Sequence, residues 1–203
     1  EIKNHLEDLL FLGQRSRQEG MEDLLDGLTL HWILEGNPGT GKTMIAKLIG
    51  KAYKEIGLLE RGHCVKVTRA DLVGQYVGET AQKTRKCIER AMGGVLFIDE
   101  AYTLKRTEIT TGHDYGQEAI DEILEAMSDK NGEFAVIAAG YPREMEVFLN
   151  SNPGFRSRFN DNIFRLKDYT AQEMAEIFRS VCRRNGFTVG EDLQKVLVPL
   201  FES

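Results

Sequence analysis

Three features of this sequence predict an α/β fold built on a parallel sheet. Apolar, strand-like runs alternate with helical periodicity along most of the chain. A glycine-rich turn links one such run to a helix. Another apolar run stops abruptly at two carboxylates. Alternating strands and helices require crossover connections, which pair strands in parallel and place helices on both faces. At 203 residues the chain holds one full domain, or one domain and part of another.

The elements follow in order. Ile2, Leu6, Leu9, Leu10 and Leu12 predict an amphipathic helix running towards Gly20. Leu30, Trp32, Ile33 and Leu34 predict a short buried strand over 30–34, with Trp32 in the core, and 43–56 reads as a helix. Residues 64–67 are a second strand and 80–92 a helix with Cys87, Ile88 and Ala91 on one side. The run 95–98 suits the middle of a parallel sheet. Ile120, Ile123, Leu124 and Met127 recur at helical spacing over 115–127; 134–139 is a strand and 163–166 an edge strand. After Leu166 only helices are expected. Thr170 with Glu173 forms a capping box, and Gly186 is a natural stop for that helix. The polar stretch 107–113 reads as a loop.

Composition narrows the function. The net charge of −6 weighs against a protein whose main work is gripping nucleic acid phosphates. Cys64, Cys87 and Cys182 are odd in number and far apart, which suggests reduced thiols in a cytosol-like compartment. The apolar runs are too short to span a bilayer, and no signal peptide pattern is present. The start at Glu1 rather than Met suggests a trimmed fragment. His5, His31 and His63 lack partners at metal-ligand spacing and are expected to be structural.

The turn carries the chemistry. Residues 36–43, GNPGTGKT, fit G-x-x-x-x-G-K-[ST] at every fixed position. Glycines let the loop wrap closely, so that backbone N–H groups point at phosphate oxygens, and the helix behind adds its positive end. Gly36, Asn37, Pro38, Gly39, Thr40, Gly41, Lys42, Thr43 and Met44 are therefore the expected nucleotide-binding residues. Lys42 would reach the β- and γ-phosphates, and the Thr43 hydroxyl would bind Mg2+. The second half of the site is Asp99-Glu100 after the apolar run 95–98, at the carboxyl edge of the sheet, where such sheets bind ligands. Asp99 would hold Mg2+ through water, and Glu100 would polarise the attacking water, an effect of about 10²–10⁴-fold. No N-K-x-D guanine-reading motif occurs, which favours ATP over GTP.

With these motifs, "VTRADLVGQYVGET" at 67–80, "MGGVLFIDEAYTL" at 92–104, "DYGQEAI" at 114–120 and "GYPREMEVFLNSNPGFRSRF" at 140–159 resemble an AAA+ ATPase. More narrowly, the chain is similar to the CbxX/CfqX group, which includes rubisco activases and sporulation proteins. The resemblance covers essentially the whole chain. It implies a P-loop three-layer domain with a parallel five-stranded sheet over 1–168, and the start of a small, truncated helical lid over 169–203. It also implies a homo-oligomeric ring, a hexamer, that uses ATP to thread or tug a polypeptide through a central pore. Arg158 would then be the finger reaching a neighbour's γ-phosphate, with Arg156 the second choice; such fingers are worth about 10³–10⁵ in rate. Tyr76-Val77-Gly78 matches the aromatic pore loop, and Lys105, Arg106 and His113 belong to a second loop over 104–114. Tyr141 stands where the family usually carries a polar sensor residue. The second sensor is expected beyond Ser203 and the adenine-pocket segment ahead of Glu1, so weak nucleotide binding is expected of this stretch. The cytoplasm is the expected location, or the plastid stroma for an algal homologue. A nucleotide-gated scaffold and a nucleic-acid-acting motor remain alternatives.

Overall fold

The computed structural model describes residues 2, 7–9, 11, 29–76, 78–105, 115–160, 162–188, 190 and 193–202, the side chains of 193–195 and 202 excepted. His5, Val77, Arg106, His113, the loop 107–113 and most of the first helix lie outside them. Residues 2, 7–9 and 11 are helical.

Five strands form one sheet: β1 (Trp32–Glu35), β2 (Cys64–Val67), β3 (Val95–Ile98), β4 (Ala135–Gly140) and β5 (Ile163–Arg165). Their order is β2-β3-β4-β1-β5, and every pairing is parallel. Between them run α1 (Lys42–Glu55), α2 (Arg69–Leu72), α3 (Glu79–Ala91), a 3-10 turn (Ala101–Leu104), α4 (Gly116–Asp129), α5 (Pro142–Ser151) and α6 (Pro153–Arg158). The period-2 alternation of each strand sorts its side chains to two faces. Trp32, Leu34, Val95, Phe97, Ile137 and Ala139 pack with Ala46, Ile49 and Tyr53 of α1. Ile33, Val67, Leu96, Ile98, Val136 and Ala138 pack on the other face with Ile88 of α3, Ile120 and Ile123 of α4 and Phe148 of α5. The result is the three-layer P-loop α/β architecture expected from the sequence. Trp32 is fully buried, stacked on Phe164 at 4.4 Å, with Nε1 donating to the Tyr53 hydroxyl at 2.5 Å.

Element boundaries moved by one or two residues for identifiable reasons. The first strand begins at Trp32, not Leu30, and continues to Glu35. Glu35 reads as a loop residue in sequence, yet it pairs with Gly140 in the ladder, and its carboxylate accepts from Arg165 Nε and Nη2 at 3.2 and 3.0 Å. The strand expected over 134–139 runs from Ala135 to Gly140, and the last strand stops at Arg165, at the sheet edge as expected. Arg156 and Arg158, read as preceding the last strand, stand on a helix of their own. Pro153 opens α6 with only Asn152 between it and the end of α5, so two short helices replace an unassigned stretch.

The chain divides into two compact units, Glu1–Leu166 and Lys167–Ser203. The second contains α7 (Ala171–Arg184) and α8 (Leu193–Glu202), which pack on each other. Thr170 caps α7 in the anticipated capping box with Glu173, and Gly186 sits at φ 80 just past its end.

Candidate functional site

The connection after β1 runs to β2 at the far edge, whereas the connection after β4 runs to β5 on the other side of β1. The crevice between the carboxyl ends of β1 and β4 is therefore the topological switch point of the sheet, where open α/β sheets bind ligands. The glycine-rich turn opens there. The Gly36 N–H donates to the Gly140 carbonyl at 3.1 Å, tying the ends of the two strands together. Gly36 and Gly140 are both close approaches: a Cβ on Gly36 would press on the Thr40 hydroxyl and on Leu166, and one on Gly140 would press on Met145 and Tyr102.

The expected nucleotide residues divide into two sets. Pro38, Gly39, Gly41, Lys42, Thr43 and Met44 line a cavity of about 420 Å³, together with Asp99, Glu100, Gly140 and Tyr141. Gly36, Asn37 and Thr40 shape the turn instead. The Thr40 hydroxyl donates to the Asn37 carbonyl at 2.8 Å, and Lys42 Nζ donates to the carbonyls of Gly36 and Asn37 at 2.6 and 2.8 Å. Gly41 takes φ 88 to turn the chain into α1, whose first turn contains no acidic residue. The helix thus offers its positive end to the cavity with no carboxylate of its own first turn to neutralise it. Burial lowers the pKa of Lys42, while Asp99 and Glu100 pull it upward. Its ammonium also lies 5.7 Å from the centre of the Tyr141 ring.

Asp99 and Glu100 reach the cavity from the end of β3. The Asp99 N–H donates to the Val67 carbonyl at 2.8 Å, prolonging the β2–β3 ladder past the last paired residue. Glu100 takes φ 51 and ψ 50, a left-handed conformation costing a non-glycine residue about 1–2 kcal/mol. Thr103 secures it: its N–H and hydroxyl both donate to the Glu100 carbonyl, at 2.9 and 2.7 Å. Stored backbone strain of this kind clusters at functional sites. Tyr141 follows β4 directly, and its hydroxyl stands 3.5 Å from Glu100 Oε1. The neighbouring Tyr102 has its pKa pushed up to about 12, by burial first and then by Glu100.

The donor set suits Mg2+, which takes one or two protein oxygens beside phosphates and water. Thr43 and Asp99 offer a hydroxyl and a carboxylate in one cavity. Among the described residues no cluster of three His, Cys, Asp or Glu side chains supplies a self-sufficient metal cage.

Two lining or neighbouring residues escaped the sequence reading. Gly140 ends β4 and lines the cavity, a role that a residue without a side chain does not announce. Lys66 lies 2.7 Å from Asp99 Oδ2. Its signal was there, a single charge within the strand "CVKV", but only the register of β2 on β3 brings it to Asp99.

The remaining candidates lie elsewhere. Arg158 lines a separate cleft with Thr29, His31, Ser128 and Asn131. Its Nε and Nη2 both donate to the Ser128 hydroxyl, at 3.1 and 2.9 Å. Arg156 Nη1 donates to Asn150 Oδ1 at 3.2 Å. Tyr76 is 70% exposed, and Gly78, at φ 82, follows it just before α3. Lys105 Nζ donates to the Ser151 carbonyl at 3.2 Å. Of the three histidines expected to be structural, the two described ones are hydrogen-bonded: His31 Nδ1 accepts the Val136 N–H at 3.0 Å, and His63 Nε2 lies 2.7 Å from the Arg90 carbonyl. No helix among the described residues is long and apolar enough to cross a membrane.

Comparison with known proteins agrees with this geometry. Residues 32–165 match the family described as "ATPase family associated with various cellular activities (AAA)". The chain is 41% identical to stage V sporulation protein K of Bacillus subtilis over 96% of its own length and 59% of that protein. It is 48% identical to protein CbbX of Cereibacter sphaeroides over 83% of its length and 53% of that protein. It is 38% identical to the chloroplastic ribulose bisphosphate carboxylase/oxygenase activase of Cyanidioschyzon merolae, over 97% and 67%. The chain thus spans between about half and two thirds of these relatives. With the glycine-rich turn and the paired carboxylates meeting at the switch point of a five-stranded parallel sheet, the chain belongs to the AAA family of ATPases, within its CbxX/CfqX group.

Proposed function

We propose that this chain is the nucleotide-binding part of a ring-forming ATPase that remodels a protein partner. The observation that supports it most strongly is the single cavity joining residues of the 36–44 segment to Asp99, Glu100 and Tyr141. ATP lies along the turn, its phosphates on the loop N–H groups and on Lys42, which exchanges the carbonyls of Gly36 and Asn37 for phosphate oxygens. Thr43 and Asp99 hold Mg2+, which supplies neutralising charge on the phosphates when bound. Glu100 orients and deprotonates the attacking water, with Tyr141 beside it.

Arg158, or failing it Arg156, acts on the ATP of a neighbouring subunit. Its place outside its own chain's cavity fits an action in trans. A hexameric ring, the polypeptide grip of Tyr76-Val77-Gly78 and a lid role for 169–203 complete the reading. The high exposure of Tyr76 favours a contact residue over a packing one. One relative's name, an activase of ribulose bisphosphate carboxylase/oxygenase, fits action on a protein partner.

The test is Glu100→Gln. It should retain ATP, slow turnover by about 10²–10⁴-fold and hold the ring together in size-exclusion chromatography. Hydrolysis at the parental rate would remove Glu100 from the mechanism. One observation favours a second reading, a nucleotide-gated scaffold with little turnover. The sensor position carries Tyr141, whose contact with Glu100 is at the 3.5 Å limit of a hydrogen bond. Turnover measured on a longer chain separates the two.

A further inference from the structure

Arg69 opens α2 directly after β2 and takes no part in lining the cavity. Its Nη1 donates to the Thr103 carbonyl at 2.8 Å and to the Leu104 carbonyl at 2.7 Å. These are the last two residues of the 3-10 turn that begins immediately after Glu100. Carbonyls at the end of such a turn lack an onward helical partner, and a guanidinium nitrogen presents its two hydrogens in a fixed plane. Arg69 therefore holds the two carbonyls at a set separation, which a single ammonium on a flexible stem does not. Gly116, at the start of α4, closes the other side: a Cβ there would collide with the Leu104 carbonyl and with Arg69 Nη1.

The same residue sits at the root of the Tyr76 loop. The Val73 N–H donates to the Arg69 carbonyl at 2.8 Å, and four residues after Leu72 the chain reaches Tyr76. That loop is itself hydrogen-bonded. The Gly74 N–H donates to the Thr80 hydroxyl at 3.0 Å, and the N–H groups of Gln75 and Tyr76 donate to Glu79 Oε2 at 3.1 and 3.3 Å. Hydrogen bonds thus join Glu100, through Thr103 and Arg69, to the Val73 N–H, and from there the backbone itself leads to the amides beside Tyr76.

We propose that Arg69 is a positioning residue that couples the turn behind Glu100 to the loop bearing Tyr76, so that nucleotide arriving at the cavity alters the 74–79 loop. The proposal rests on the reading of residues 36–43 as the nucleotide loop. Contiguity alone does not establish coupling, so the link has to be read at its far end. The experiment is amide hydrogen exchange on the full chain, with and without ATPγS and Mg2+, in the parent, Arg69→Met and Arg69→Lys. In the parent, nucleotide should slow exchange at 39–44 and change it at 74–76. Arg69→Met should keep the first response, with an unchanged ATPγS affinity, and lose the second; Arg69→Lys should show a reduced second response. A parent protected at 39–44 with 74–76 unmoved overturns the coupling, whatever the variants do. So does Arg69→Met with the parental response at both places. A parent unprotected at 39–44 sinks the nucleotide-loop reading first, and the coupling with it.

Discussion

Lys42 and Arg158 are both cations of the first compact unit, and the fold treats them in opposite ways. Lys42 is drawn into a cavity, its ammonium bonded to two carbonyls of its own loop and flanked by Asp99 and Glu100. Arg158 stands exposed at the end of α6, in a cleft whose described lining contains no carboxylate, resting on the neutral Ser128 hydroxyl. A partly buried charge has to be compensated within the chain, whereas an exposed guanidinium is satisfied by water until an anion arrives. On the proposed reading, the loop side of the site would bind a triphosphate within one chain. On the same reading, the arginine side would leave its neutral Ser128 partner for an anion brought by a second molecule.

The largest expected effect tests that second half. Arg158→Ala should cut turnover of the assembled protein by about 10³-fold or more while leaving ATP binding by the single chain unchanged. If Arg156→Ala does this and Arg158→Ala does not, the finger is the other arginine. If neither does, the comparison between a self-sufficient half and a waiting half fails. Next comes the loop. Lys42→Ala removes charge-assisted hydrogen bonds worth about 1.5–3 kcal/mol, which is roughly a 10–100-fold loss of ATP affinity. A fluorescent ATP analogue reads it, and the loss should be the same at every protein concentration, because Lys42 acts within its own chain. A loss that appeared only on assembly would erase the distinction.

The smallest effect concerns His31, which shares the Arg158 cleft. Burial, and then the nearby Arg158, lower its pKa from 6.5 to about 4. The unfolded chain then binds the extra proton between pH 6.5 and 4, so this residue's contribution is complete above pH 6.5 and is lost as pH falls towards 4. The loss amounts to roughly 3 kcal/mol by linkage. Urea midpoints across that range should fall in the parent and fall less in His31→Asn, whose amide oxygen, carried on Cγ like Nδ1, can accept the Val136 N–H. Parallel pH profiles would show that the histidine does not carry the effect.

Much of the site could be read from the sequence because it is written in consecutive residues. Glycines at fixed intervals with Lys42 and Thr43, and an apolar run stopping at Asp99-Glu100, state their chemistry locally. The alternation of strands and helices and the capping box at Thr170 were legible for the same reason. Glu35 was not, because the partner that explains its burial, Arg165, lies 130 residues away. Lys66 was not, because its role depends on which strand lies beside β2. Neither the left-handed turn at Glu100 nor the two donors of Thr103 that hold it leave a residue pattern to recognise.

By itself, the sequence determined the class of fold, the places of the glycine-rich turn and the acidic pair at the ends of their strands, and the residues that make each element apolar on the right faces. Hydrophobic period and turn chemistry act over a few residues, so they survive in the linear text. Tertiary structure alone decided the strand order, the meeting of Gly36 with Gly140, the Lys66–Asp99 pair and the clamp of Arg69 on the turn behind Glu100. Those depend on non-local pairing, in which the closure of long loops is set against the burial of whole faces of the sheet, and no short stretch of chain contains that balance.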